Sequence, residues 1–195
     1  MTLAQQAIAD GVPIKRLYLD LFQAAQRRVG ELWAANAISV GTEHRATGVT
    51  QAVIASLYEH IVCVDGHGRK LLLGVVGRER HQVGPRMVAD FAEMAGYDVT
   101  YMGVIPDPDA LVKAVLETRP ENVGLSATLP VHLPEVARYI RALRDALQDG
   151  CPRILVGGRA FSIDPDAWRR VGADCHASDA EEAISCLDAE GGAGA

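Results

Sequence analysis

The sequence predicts an α/β protein, with a small helical bundle over residues 1–66 and then, over 70–189, a five-stranded doubly wound parallel sheet of the Rossmann-like or flavodoxin-like kind. Three observations predict it. Apolar residues recur at spacings of three and four through the first sixty residues, a stretch rich in glycine and charge interrupts the chain at 63–69, and strand-length apolar runs then alternate with helical patterns. Alternation of that kind builds a parallel sheet covered by helices, with its ligand edge at the carboxyl ends of the strands.

The elements follow in order. A short helix over 2–10 ends at Gly11, and Val12-Pro13 opens a longer one, because proline suits a first helical turn. In the longer helix Ile14, Leu17, Leu21, Phe22, Ala25, Val29, Leu32 and Trp33 make one apolar face. Residues 34–38 connect it to Ser39, an N-cap residue type, and to a third helix with Val49, Val53, Leu57 and Ile61 on one stripe. So short a connection makes the two helices antiparallel. Trp33, Glu43 and His44 therefore fall at the same end of the bundle.

From residue 70 onward, strands over 71–76, 98–102, 122–127, 153–156 and 174–177 alternate with helices over 85–96, 107–118, 133–147, 165–171 and 179–187. Residues 190–195, nearly all Gly and Ala, are expected to fray.

Composition narrows the function. Hydrophobic residues make up 49% of the chain, enough for a real core, and the net charge is −6 with scattered basic side chains, which disfavours phosphate-backbone binding. The four cysteines, Cys63, Cys151, Cys175 and Cys186, have no metal or disulfide spacing. No stretch has the ~18 apolar residues of a membrane span, and the first residues do not form a secretory leader. A cytoplasmic protein is expected.

The chemistry concentrates at the strand ends. The loop after the first strand reads Glu79-Arg80-His81-Gln82-Val83-Gly84, with a carboxylate two residues before an imidazole. A carboxylate that holds one ring nitrogen fixes the tautomer and presents the other nitrogen to a metal. After the third strand come Ser126-Ala127-Thr128, and after the fourth Gly157-Gly158. Small hydroxyls and paired glycines there leave a slot between sheet and helices for a tall, flat group.

The motifs are separated by 41 residues, between Gly84 and Ser126, and by 28, between Thr128 and Gly157. In this register the sequence resembles the cobalamin-binding domain family, from Lys70 to about Leu187. The resemblance implies that His81 is the lower axial cobalt ligand in place of the cofactor's dimethylbenzimidazole, and that Glu79, where the family has Asp, holds His81 directly or through water. It also implies that Ser126 and Thr128 line the pocket of the displaced tail, that Gly157 and Gly158 give it room, and that Gly84, the glycine of the Glu-x-His-x-x-Gly motif, is among the cofactor-binding residues.

Trp33 followed after nine residues by Glu43-His44 resembles the signature of the cobalamin-dependent photoreceptor regulators of the CarH type. That resemblance implies a light-sensing module holding adenosylcobalamin, with Trp33 shielding the upper ligand, Glu43 at the adenosyl ribose and His44 nearby. Methylcobalamin and hydroxocobalamin are the other candidate forms. Two departures stand out. Nothing basic or helix-turn-helix-like fits ahead of Val12, so no direct DNA binding is expected and the signal would pass to a protein partner in trans, or through a homo-oligomer. Ala34 also stands where the photoreceptors carry a second cobalt-capturing histidine, a role left to His44 or His132. The enzyme-linked alternative is a corrinoid methyl carrier of a methyltransferase system, although Val83-Gly84-Pro85-Arg86 replaces the usual Ile-Gly-Lys-Asn. A storage module is a further alternative, and a mutase subunit would need its barrel from another chain.

Overall fold

The computed structural model describes residues 3–61 and 66–189. The first residue of the predicted opening helix, residues 63–65 of the predicted linker with Cys63, and the tail 190–195 lie outside the described residues. The chain divides into two compact units, residues 1–62 and 63–195.

The first unit is helical. It contains α1 (Leu3–Ala9), a continuous run made of α2 (Ile14–Arg16), a π-helical segment (Leu17–Gln23) and α3 (Ala24–Ala34), and then α4 (Val40–Leu57), closed by a 3-10 turn (Tyr58–His60). Ser39 caps α4 by accepting the Thr42 N–H at 3.2 Å. Two details differ from the sequence pattern. The π segment changes the phase of the long helix, so Leu17, Tyr18 and Phe22 are buried while Leu21 and Trp33 are exposed. On α4 the buried stripe is Thr50, Ile54 and Leu57, one residue away from Val49 and Val53. Thr50 can turn inward because its hydroxyl accepts Nε2–H of Gln26 at 2.7 Å.

The second unit is the predicted parallel sheet. Its strands are β1 (Lys70–Val76), β2 (Asp98–Ile105), β3 (Asn122–Ser126), β4 (Arg153–Gly157) and β5 (Cys175–Ala177), in the order β2-β1-β3-β4-β5 and parallel throughout. The helices between them are α5 (Val83–Met94), α6 (Pro108–Thr118), α7 (Leu133–Leu147), α8 (Arg159–Ile163), α9 (Ala167–Val171) and α10 (Ala180–Asp188).

Strand side chains alternate between two cores, as a doubly wound sheet requires. Leu72, Val76, Val123, Leu125, Ile154 and Val156 pack with Leu111, Tyr139, Leu143 and Phe161 on one face. Leu71, Leu73 and Leu155 pack with Ala89, Ala92 and Leu187 on the other. β2 runs three residues beyond the sequence expectation, because the ladder slips between Leu73 and Gly74 and Gly103, at φ 66°, absorbs the irregularity. The sequence pattern also passes over α8, which is too short to show periodicity and lies between Gly158 and Pro165.

Candidate functional site

In this strand order the chain leaves β1 toward one face of the sheet and leaves β3 toward the other. The loops after these adjacent strands flank the switch point, where open α/β sheets hold ligands. The β1 loop carries Glu79 and His81, and the β3 loop carries Thr128 and His132.

The β1 loop is pinned before it reaches its functional residues. Gly77, at φ 51°, donates its N–H to Ile105 O at 2.8 Å, and Glu79 N–H returns to Val76 O at 2.9 Å. A side chain at Gly77 would meet the end of the flexible Glu135 side chain, which would have to move, and the left-handed φ itself favours glycine. The turn sends the Glu79 carboxylate into the protein, where its side chain is 0% exposed.

Every side of that carboxylate is met by a donor. Oε1 accepts Nδ1 of His81 in a short contact, together with the N–H groups of Arg80 at 2.9 Å and His81 at 3.0 Å. Oε2 accepts the Thr128 N–H at 2.7 Å and Nδ1 of His132 at 3.0 Å. Burial pushes the Glu79 pKa up, but the donors from His81, Thr128 and His132 outweigh it and hold the carboxyl well below the usual carboxylate range. An ionised carboxylate only accepts, so both imidazoles carry a proton on Nδ1. In its neutral form His81, 46% exposed, thus has Nε2 as its lone-pair nitrogen.

That donor set fits a metal-bound corrin: a half-exposed imidazole, oriented by a buried carboxylate that is itself held by four other donors. Glu79 meets His81 directly, without an intervening water. Thr128 acts through its backbone N–H. Ser126 ends β3 with its hydroxyl beside Gly158, where a Cβ would lie 3.0 Å from Oγ. Gly158 has φ 98°, and a Cβ there would come within 2.4 Å of Ala127 O, so the approach of the β3 loop already demands glycine. A Cβ added at Gly157 would lie 3.1 Å from Ala177 O, whereas one at Gly84, in the first turn of α5, would meet nothing within 4 Å.

In the helical unit, Trp33 lies in the last turn of α3 and is 43% exposed. Glu43, in the first turn of α4, accepts Thr47 Oγ1–H at 2.9 Å and pairs with Nδ1 of His44. Oε1 of Gln26, 3.0 Å away, is the alternative acceptor for the single Thr47 hydroxyl proton. A polar chain from His44 through Glu43, Thr47 and Gln26 to Thr50 thus laces α3 to α4.

The sequence pattern did not reveal His132 as a partner of Glu79. It stands 53 residues away, and the available signal was Pro130, two residues after Thr128, which opens the 3-10 turn (Pro130–His132) that bends the β3 loop back.

A flavodoxin-like sheet that offers a carboxylate-held imidazole at its switch point has the layout of a ligand-binding α/β protein. Residues 69–187 match the model of the B12 binding domain, and residues 1–58 match a second model of the same description. The chain belongs to the B12-binding domain family and is a cobalamin-binding protein. It is similar to the HTH-type transcriptional repressor CarH of Myxococcus xanthus, 32% identical over 132 residues that cover 68% of this chain and 43% of the repressor. The chain therefore spans less than half of that relative's length. It is also similar to trimethylamine corrinoid protein 2 of Methanosarcina mazei, 24% identical over 191 residues, covering 96% of this chain and 86% of that protein. The solved monomethylamine corrinoid protein of Methanosarcina barkeri superposes with a TM-score of 0.82 at 19% identity, over 95% of this chain and 87% of that one, a likeness of fold. Among the described residues no helix is long and apolar enough to cross a membrane.

Proposed function

We propose that the protein is a light-sensing regulatory module that holds adenosylcobalamin, with Nε2 of His81 as the lower axial ligand of cobalt, and signals to a protein partner in trans. The buried Glu79 carboxylate on Nδ1 of His81 is the observation that carries the ligand assignment. It fixes the ring's tautomer and orientation before any ligand arrives, so little is lost in ordering the donor on binding. Ser126, Thr128, Gly157 and Gly158 are assigned to the tail pocket, and Gly84 to the open rim beside it.

Bound adenosylcobalamin would supply a cobalt–carbon bond that visible light breaks. Trp33, Glu43 and His44 are the helical unit's candidates for contact with the upper ligand. Thr47 holds Glu43 in place for that contact. Loss of the ligand would release those contacts, and a two-state element biased in this way turns light into a protein–protein signal. Similarity to CarH over 68% of the chain supports the reading.

A second reading, a methyl carrier serving methyltransferases, is favoured by the alignment with a corrinoid protein over 96% of the chain. His81 and Glu79 would keep the same roles in it.

Absorption spectra and hydrodynamic size separate the two, recorded in the dark and after green illumination with adenosylcobalamin, methylcobalamin and hydroxocobalamin. A light-driven spectral change with adenosylcobalamin, accompanied by a change in size or partner binding, supports the sensor. Methylcobalamin binding without any light-linked change supports the carrier. A protein that takes up none of the three contradicts both.

A further inference from the structure

Glu79 is held from two sides. The donors to Oε1, the Arg80 and His81 amides and the His81 ring, come from its own loop, whereas both donors to Oε2, the Thr128 amide and the His132 ring, come from the loop after β3. A carboxylate gripped at one oxygen can still turn about its last side-chain torsion, which is a soft one. Gripped at both it turns less freely, and the hold on Oε2 is shared between the Thr128 amide and the His132 ring. His132 is well placed for this grip: its side chain is 17% exposed, and the 3-10 turn Pro130–His132 sets it against the carboxylate. Its N–H to an ionised acceptor is also of the stronger, charge-assisted kind.

We propose that His132 is a second positioning histidine, which together with the Thr128 amide locks the Glu79 carboxylate from the β3 loop and thereby fixes the ring of His81 for cobalt. This deepens the assignment of His81 as the lower ligand and rests on it. The site then works as a chain of three side chains, His132 to Glu79 to His81, with the middle one anionic and both outer rings protonated on Nδ1. A histidine with this geometry in the β3 loop also has a task other than capture of cobalt at the upper face.

The test compares the wild-type chain with His132→Leu, which fills the space without a donor, and His132→Asn, whose amide N–H lies near the place of Nδ1. The imidazole nitrogens are read first by 15N NMR in the corrinoid-free protein. The expected result is a single Nδ1–H tautomer for both rings in the wild type, tautomer exchange at His81 in the leucine variant, and restoration in the asparagine variant. Hydroxocobalamin is then added. The ratio of histidine-bound to histidine-free cobalt should fall about tenfold in the leucine variant and recover with asparagine. An unchanged His81 tautomer and an unchanged ratio in the leucine variant overturn the proposal. So does a wild-type His132 whose Nδ1 carries no proton, a result that stands even if the leucine variant fails to fold. Wild-type protein that binds no corrinoid defeats the cofactor assignment, while the NMR arm still decides the role of His132.

Discussion

The amide of Thr128 donates to Oε2 of Glu79 at 2.7 Å, so a carboxylate on the loop after β1 is bonded to the backbone of the loop after β3. The two strands are neighbours, but their loops depart toward opposite faces of the sheet. Glu79 is the tie across that divergence, and His81 takes its orientation from it.

Replacing Glu79 with Gln keeps the length and removes the charge. One amide oxygen can still accept, but the NH₂ group then faces donors. We expect a loss of about 1–3 kcal/mol in unfolding free energy, measured by urea denaturation, together with weaker attachment of His81 to cobalt.

The same carboxyl gives a pH dependence with a definite sign. Its folded pKa lies below the ordinary value of 4.5, since the donors outweigh the burial. A depressed pKa contributes stability that is fully present above the unfolded value and is lost as pH falls toward the folded one. The stability gap between wild type and Glu79→Gln should therefore be constant near neutrality and shrink once pH drops below about 4.5. A gap that widens on acidification would contradict the hydrogen-bond account.

At the alkaline end Tyr101 provides a second check. Burial pushes its pKa up to about 12, with the Arg86 cation pulling it down and the Asp90 carboxylate pushing it up. Its hydroxyl donates to Gln82 O at 3.2 Å, next to His81. A raised pKa contributes stability that is present below the ordinary tyrosine value of 10 and is lost as pH climbs through about 12. Tyr101→Phe should unfold less readily than wild type over that interval relative to pH 8, as followed by circular dichroism.

Gly158→Ala places a Cβ against Ala127 O at a backbone φ of 98°. The strain should cost about 2 kcal/mol or more in thermal or urea unfolding. Gly84→Ala meets nothing within 4 Å and should leave the stability of the corrinoid-free protein nearly unchanged. A drop in cobalamin affinity in that variant alone would mark Gly84 as ligand-facing.

In the helical unit, Thr47→Val removes the hydroxyl whose one proton goes to Glu43 or Gln26. About 1 kcal/mol of stability should be lost. Adenosylcobalamin should bind less tightly and hydroxocobalamin equally well if Glu43 serves the upper ligand.

Much of this architecture is legible in the sequence because the signals are local. Two cores on a doubly wound sheet follow from runs such as Leu71 to Val76, and the Ser39 cap from its residue type. The Glu79–His81 pair can be read for the same reason, since two residues of one turn must lie near each other. What escaped was settled by tertiary structure. Thr50 replaces Val49 in the core because Gln26 on another helix satisfies its hydroxyl. The π segment moves the buried face to Tyr18, and Gly103 lets β2 continue where a glycine suggests an end. Thr128 contributes a backbone amide, which no residue type announces, and His132 meets Glu79 only because β1 and β3 are neighbours in the sheet.

The most direct measurement is the electron paramagnetic resonance spectrum of the protein loaded with cobalt(II) cobalamin, with natural-abundance histidine and with 15N-histidine. If His81 is the lower ligand, each cobalt line is split into a triplet by a single nitrogen. That triplet becomes a doublet on labelling, and the label-sensitive splitting vanishes in His81→Ala. A triplet indifferent to the label would mean that the cofactor keeps its own base on cobalt, and would contradict the assignment of His81.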